Sequence, residues 1–153
     1  MAKSFLLEIV TPERLFFAGE AEIVIVRTFS GEEGFMAGHS WACKMLDTGE
    51  LWLREADSKE CKLAAISGGF IDVRDDVLIF TDEAEWQDEI DVDRAEEADK
   101  REKEWLEKYS SEAKEQDKEH DKFEEAEFET HRLAMLRALN RKKVAFGGRR
   151  GRH

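Results

Sequence analysis

The sequence holds one proline, Pro12, one tyrosine, Tyr109, and only two cysteines, Cys43 and Cys61. Two cysteines are too few to staple a small fold, so stability has to come from burial. Each lies in a strand-like run, which predicts two buried free thiols in a reducing compartment. No apolar run approaches the roughly 20 residues a membrane span needs, and Met1-Ala2-Lys3-Ser4 leads into a half-polar strand rather than a signal-peptide core. A soluble or membrane-peripheral protein is therefore expected. The catalytic spacings are also missing. There is no Walker-type phosphate loop, no dinucleotide fingerprint, no G-x-S-x-G and no zinc-type Cys/His spacing; the histidines His39, His120, His131 and His153 are scattered. No catalytic residues and no metal site are assigned. A net charge of −12 argues against a nucleic-acid-binding body, because phosphate binding needs a cationic face.

What is present falls into two grammars. Apolar residues make up 41% and charged residues 39%, and the two figures fit together if the apolar residues are concentrated in one half. Up to residue 86 the pattern has period two. Phe5-Leu6-Leu7-Glu8-Ile9-Val10 reads as a strand, Thr11-Pro12-Glu13-Arg14 as a turn, and Glu22-Ile23-Val24-Ile25-Val26-Arg27 as a buried strand. Gly19-Glu20 reads as a bulge or tight bend. The span from Ser30 to His39 has three glycines and reads as a loop. Residues 41–46, 51–54, 61–67, 70–73 and 77–81 read as further strands, with hairpin loops at residues 47–50 and 55–59. An all-β sandwich or flattened barrel over 1–86 is predicted.

The grammar changes at Ile90-Asp91-Val92-Asp93-Arg94-Ala95. From there the chain is charged and almost free of glycine. Asp91 or Asp93 is placed to cap a helix, and Arg94 sits in its first turn, where a cation opposes the helix dipole unless an anion lies nearby. Ala95, Ala98, Glu102, Trp105 and Tyr109 form one stripe, broken once by Glu102; Ser110-Ser111 marks a possible helix end. A second stripe begins with Phe123, Ala126, Thr130 and Leu133. The fold class is thus α+β, with the β head followed by an antiparallel two-helix hairpin over 87–146 and a basic tail over 147–153. Alanine-rich contacts bury little area, so the hairpin should be marginal unless it leans on the head or a partner.

Arg94, Arg137 and Arg141 lie near opposite ends of the hairpin's chain, so folding brings them together. Beside Asp91 and Glu85 they could hold a polyanion, with the small Ala95 leaving room for a flat base. Ordinary salt bridging with neighbouring acids is the competing reading. His39 is read as a structural histidine bonding loop backbone rather than a base. The basic tail is either a solubilising, unfolded end or a contact for an anionic surface.

Four motifs carry a resemblance. They are Leu7-Glu8-Ile9-Val10-Thr11-Pro12-Glu13, Gly31-Glu32-Glu33-Gly34-Phe35-Met36-Ala37-Gly38-His39, Ser67-Gly68-Gly69-Phe70-Ile71-Asp72-Val73 and Ile90-Asp91-Val92-Asp93-Arg94-Ala95. In this order and spacing the chain resembles the epsilon subunit of the F-type ATP synthase, called delta in mitochondria, over nearly its whole length. The resemblance implies a non-catalytic place in the central stalk of a proton- or sodium-translocating synthase. The head would bind the gamma subunit and rest on the c ring. Glu32 would lie in the loop facing that ring, with Glu33, Phe35, Met36 and His39 completing the candidate contact loop.

The helices would act as a mobile brake, compact on the head or extended into the alpha/beta catalytic hexamer to oppose ATP hydrolysis. No cofactor is required. A regulatory ATP would be held by Glu85, Ile90, Asp91, Arg94, Ala95, Arg137 and Arg141 in the compact form. The implied location is peripheral, on the cytoplasmic face of the bacterial plasma membrane in preference to the stromal face of a thylakoid. The family usually has prolines where Ala37 and Trp41 stand, and residues 112–125 and the tail are longer than usual. Outside the family, the residues also fit a stand-alone cytosolic adaptor with a coiled-coil arm.

Overall fold

Alternation of apolar and polar residues builds the first half of the chain strand by strand. The computed structural model describes residues 3–115 and 122–147. In Phe5–Val10 (β1), Phe5, Leu7 and Ile9 face inward while Leu6 and Glu8 face out. Leu15–Thr28 (β2) follows the Thr11–Arg14 turn and is long enough to serve two sheets. Then come Gly31–Met36 (β3), Ala42–Leu46 (β4), Gly49–Glu55 (β5), Cys61–Ile66 (β6), Gly69–Val73 (β7), Val77–Phe80 (β8) and Ala84–Trp86 (β9).

The first half of β2 pairs with β1, which runs parallel to β8; β8 continues through β7 to β4. The second half of β2 pairs with β3 on one side and β5 on the other, and β5 continues through β6 to β9. A register shift between Ala21 and Ile23, opposite β5, marks where β2 changes sheets. The two sheets enclose a core of Leu7, Ile9, Val24, Val26, Phe35, Leu51, Leu53, Ile66, Ile71 and Ile79, all essentially without solvent contact. At about 1.5–3 kcal/mol per fully buried aliphatic side chain, this core is ample for a head that folds as a unit.

After β9 a single 3-10 turn, Gln87–Glu89, leads to two helices, Val92–Glu115 (α1) and Lys122–Ala145 (α2), packed antiparallel. Ser111 does not end α1, because its hydroxyl donates to the Glu107 carbonyl at 2.9 Å and is satisfied within the helix. The end of α2 is set at Gly147, whose φ of 95° and N–H to the Val144 carbonyl (2.9 Å) close the last turn. Residues 116–121 and the basic tail from residue 148 lie outside the described residues. Among the described residues no helix is long and apolar enough to cross a membrane.

Several sequence expectations are corrected. The glycine-rich span is mostly strand: β3 is laddered to β2 from Thr28↔Gly31 to Ile23↔Met36. Its Phe35 is fully enclosed in the core, so that side chain is not on the surface of the candidate contact loop. Residues 47–50 are not a hairpin loop, because β4 pairs with β7 while β5 pairs with β2 and β6; the chain crosses between sheets there. Both cysteines are exposed. Cys43 shares the outward side of β4 with Met45, and Cys61 precedes the buried run of β6. Strand β9 has no sequence pattern of its own, and among the described residues its backbone ladder runs to β6.

Gly69 has the closest backbone neighbour among the described glycines. Its φ is +107°, and a Cβ built there would sit 1.8 Å from the Phe80 carbonyl oxygen. Gly69→Ala is expected to lower the head's unfolding free energy by at least about 2 kcal/mol, read as a lower midpoint in urea. An unchanged midpoint would mean that the approach of Gly69 to the end of β8 is looser than its geometry indicates.

Candidate functional site at the head–hairpin junction

The junction is organised by one cap and one small apolar patch. The Asp91 carboxylate accepts the Arg94 backbone N–H at 3.1 Å, and the Asp91 carbonyl accepts that of Ala95 at 3.0 Å. Asp91 is therefore the N-cap of α1. Ile90, one residue earlier, packs with Leu63 and Ala65 of β6 and with Val144 of α2, flanked by Trp52 and Ala145. Beside this patch the Asn140 amide donates to the Gly49 carbonyl at 2.9 Å and the Ile66 carbonyl at 3.4 Å. One helix side chain thus satisfies backbone groups of two neighbouring strands.

The predicted arginines divide. Arg141 Nε donates to Glu85 Oε1 at 2.7 Å, and Arg137 Nη1 lies 3.9 Å from Glu83 Oε1. Both cations are thus turned to the head's β9 segment, one helical turn apart on α2. Arg137 Nε is buried and, among the described residues, accepted by no oxygen. Arg94 is not drawn into this pair: it stays on the exposed side of the first turn of α1, and no ion pair joins it to a described residue. Ala95, at 1% exposure, is covered by the fold, so the room expected beside it for a flat base is already filled. A cleft of about 220 Å³ lies instead between α2 and the β4–β5 crossing, lined by Arg27, Asp47, Gly49, Leu136, Asn140 and Lys143 among others.

The seam between the helices is polar. Asp99, 3% exposed, accepts Lys103 at 3.0 Å and Lys142 at 3.1 Å through one oxygen, while its other oxygen is buried without a partner among the described residues. Burial alone pushes this carboxyl up, but hydrogen bonds and charges from Lys103 and Lys142 outweigh it and hold Asp99 below the ordinary aspartate value. Glu102 lies against His131 Nδ1 at 2.5 Å, and the His131 ring stacks on Trp105 at 3.7 Å. Tyr109 and Phe128 extend the column outward. In the sequence Glu102 breaks the apolar stripe and Asp99 lies outside it. The available signal was position: both acids lie at helical spacing from the buried Ala95.

On the head, Glu33 accepts Lys44 Nζ at 2.5 Å and Thr28 Oγ1 at 2.9 Å. The Lys44 bond, opposed by burial, holds its carboxyl below the usual carboxylate range. Glu33 thereby ties β3 to β4. Glu32, Met36 and His39 remain exposed, the His39 ring edge-on to Phe35 at 4.8 Å. On the outer face of the other sheet the cross-strand register aligns Met45, Phe70, Phe80, Val10 and Leu15 in one apolar row. Met45 and Leu15 at its ends are 62% and 60% exposed.

A β sandwich with a bare apolar row, carrying a helical hairpin docked through one small patch, is a recognition module with separable parts. Residues 4–87 match the family described as ATP synthase, Delta/Epsilon chain, beta-sandwich domain. The chain belongs to the ATP synthase delta/epsilon family, as a non-catalytic subunit of the central stalk. It is 48% identical over 109 residues to an ATP synthase epsilon chain of Alkaliphilus metalliredigens, covering 71% of this chain and 80% of that one. It is 34% identical over 148 residues to one of Caldicellulosiruptor saccharolyticus, covering 96% and 97%. Among solved structures it superposes on a chain of the Euglena gracilis mitochondrial ATP synthase OSCP/F1/c-ring assembly, with a TM-score of 0.64 and 25% identity, covering 89% of this chain and 79% of that one.

The depressed carboxyl of Asp99 has a testable consequence for the hairpin. Its stabilising contribution is present above the unfolded aspartate value of 3.8 and is lost as pH falls through the lower value of the folded state. Amide protection of α1 and α2, followed from about pH 6 to about pH 2, should collapse with a step that Asp99→Asn removes. The same acid profile in both chains would show that Asp99 does not govern the seam.

Proposed function

We propose that the head couples the gamma subunit to the c ring, while the hairpin regulates ATP hydrolysis by leaving the head. The observation that carries this reading is the size of the docking patch. Ile90 and Val144 contribute about 1.5–3 kcal/mol each. The Asn140 bonds contribute about 1 kcal/mol apiece. The partly exposed arginine–glutamate pairs contribute less than about 1 kcal/mol each. A sum of a few kcal/mol, set against the entropy of holding the arm, leaves a minor open population that a partner can capture. The head, with its large continuous core, stays folded throughout.

The exposed row from Met45 to Leu15 supports a protein contact on the sheet face away from α2, suited to the gamma subunit. Glu32, Met36 and His39 at the β3 end support a second contact, suited to the polar loops of the c ring. The two relatives named above are epsilon chains, and the Euglena chain belongs to an OSCP/F1/c-ring assembly. Together these favour the stalk role over a stand-alone adaptor. Work of this kind would take place at the cytoplasmic face of a bacterial membrane, with the chain attached through its partners.

Regulatory ATP fits the same frame. Arg137 and Arg141, a buried Nε–H awaiting an acceptor and the capped turn of Asp91 are the groups a triphosphate would engage, with Arg94 swinging in from its exposed position. ATP acts on the brake only through a higher affinity for the docked form. Calorimetric titration of the full chain with ATP should give saturable heat that Arg141→Ala lowers by at least about tenfold in affinity, the loss of a charge-assisted bond. No heat at millimolar ATP would sink the nucleotide reading and leave the stalk role intact. Truncation after Ile90 should preserve assembly into the synthase and raise its ATP hydrolysis; loss of assembly would refute the division of labour.

A further inference from the structure

The two arginines that the nucleotide reading needs are already occupied by acids of the head. Arg141 sits on Glu85 at 2.7 Å, and Arg137 faces Glu83 at 3.9 Å. Glu85 and Glu83 belong to the short segment that follows β8 and enters β9, and β9 is held to β6 by the pairs Ala65↔Glu85 and Ile66↔Ala84. The same β6 carries Leu63 and Ala65, on which Val144 rests, and the Ile66 carbonyl, which Asn140 reaches. Asn140, Arg141 and Val144 therefore engage one strand pair through three kinds of contact. Glu83 is assigned to no site by the family resemblance.

We infer that Glu83 and Glu85 form an internal anionic latch. In the absence of ligand these carboxylates hold Arg137 and Arg141, and with them the hairpin, against the head, and Glu83 competes with any polyphosphate for Arg137. This rests on the docked-brake reading above and adds its regulation. Arg137 binds loosely: the distance is long, the Glu83 side chain is half exposed, and the arginine keeps an unsatisfied, buried Nε–H. Arg141 binds tightly, through Nε at charge-assisted distance. A polyphosphate would meet little resistance at Arg137, where Glu83 is a weak competitor, while Glu85, which the resemblance counts among the groups that hold ATP, keeps Arg141 in place.

The latch makes docking sensitive to ionic strength. Pairs between partly exposed groups are screened once the Debye length falls to a few ångströms, near 1 M salt, whereas the Ile90–Val144 patch is not weakened by salt. It also sets two effects of one charge in opposition. Removing the Glu83 carboxylate loosens the docked arm without ligand and frees Arg137 for a ligand. A residue that merely packs against the helix would weaken both.

The test uses the full chain. Hydrogen exchange of the α2 amides reads the opening constant without nucleotide. Glu83→Gln is expected to raise it about threefold, and Glu83→Gln with Glu85→Gln about tenfold, the range of such ion pairs. The charge-swapped chain, Glu83→Arg with Arg137→Glu, should return toward wild-type protection. Opening unaffected by both Gln chains and by sodium chloride overturns the latch, as does a swapped chain no better protected than Glu83→Gln alone. Calorimetry with ATP on Glu83→Gln should show affinity raised about threefold over wild type; affinity equal to or weaker than wild type overturns the competition. If neither chain gives heat with ATP, the nucleotide reading and the competition for it fall together, while the exchange results still decide whether the carboxylates hold the arm.

Discussion

Strand β6 is buried on both faces. Ala64 and Ile66 point into the sandwich, while Leu63 and Ala65 point the other way, toward Ile90 and Val144. A strand at this position in a lone sandwich would present its second face to water. Here the helical hairpin covers it, and the covering is incomplete enough to be undone. Almost everything distinctive about the molecule depends on that contact: the course of the chain through β9, the cap at Asp91, the placement of Asn140 over two carbonyls, and the pairing of arginines with head carboxylates.

Head and hairpin are stabilised by different physics. The head encloses aliphatic and aromatic side chains between two sheets joined by a shared strand, and its polar groups lie at the rim. The hairpin has alanines at its closest approach, Ala95 and Ala138, and an acidic–basic seam beyond them. A buried carboxylate such as Asp99 gains more from Lys103 and Lys142 than it loses in hydration, so the seam fixes register and adds a stability that depends on its charges. The aromatic column of Trp105, His131, Tyr109 and Phe128 contributes surface without a deep core. An arm built this way can stay helical by its own i,i+4 contacts and by pairing with its neighbour, yet release the head at small cost. The regulatory role proposed for it requires that asymmetry between a rigid torque-bearing part and a weakly held one.

Much of the fold was legible because it is encoded by local period. The β1, β4, β5, β7 and β8 strands, the Thr11–Arg14 turn and the start of α1 at Asp91 can be read from alternation, proline placement and capping chemistry. Long-range pairing cannot be read that way. The span from Gly31 to Met36 has the glycine content of a loop and becomes a strand only because the second half of β2 lies beside it. β9 is three residues with no pattern of its own. Cys43 and Cys61 looked buried because strand membership was legible and strand side was not; one residue of register turns every side chain to the opposite face. In the candidate site, Arg137, Arg141 and Glu85 were legible together from the motif, but the direct Arg141–Glu85 pairing was not, and Glu83 was one acid among many in the sequence.

The amino-acid sequence by itself determined the family, the division into a β head and a helical arm, and the residue types available at their junction, because motif spacing and hydrophobic period are properties of the linear chain. Tertiary structure alone decided which acids meet which bases: Arg141 with Glu85, Arg137 beside Glu83, Asp99 between two lysines, and Arg94 left at the surface. Coulomb and hydrogen-bond energies depend on separations of a few ångströms between residues as much as 56 positions apart. Such separations exist only once β6 has brought β9 and α2 together.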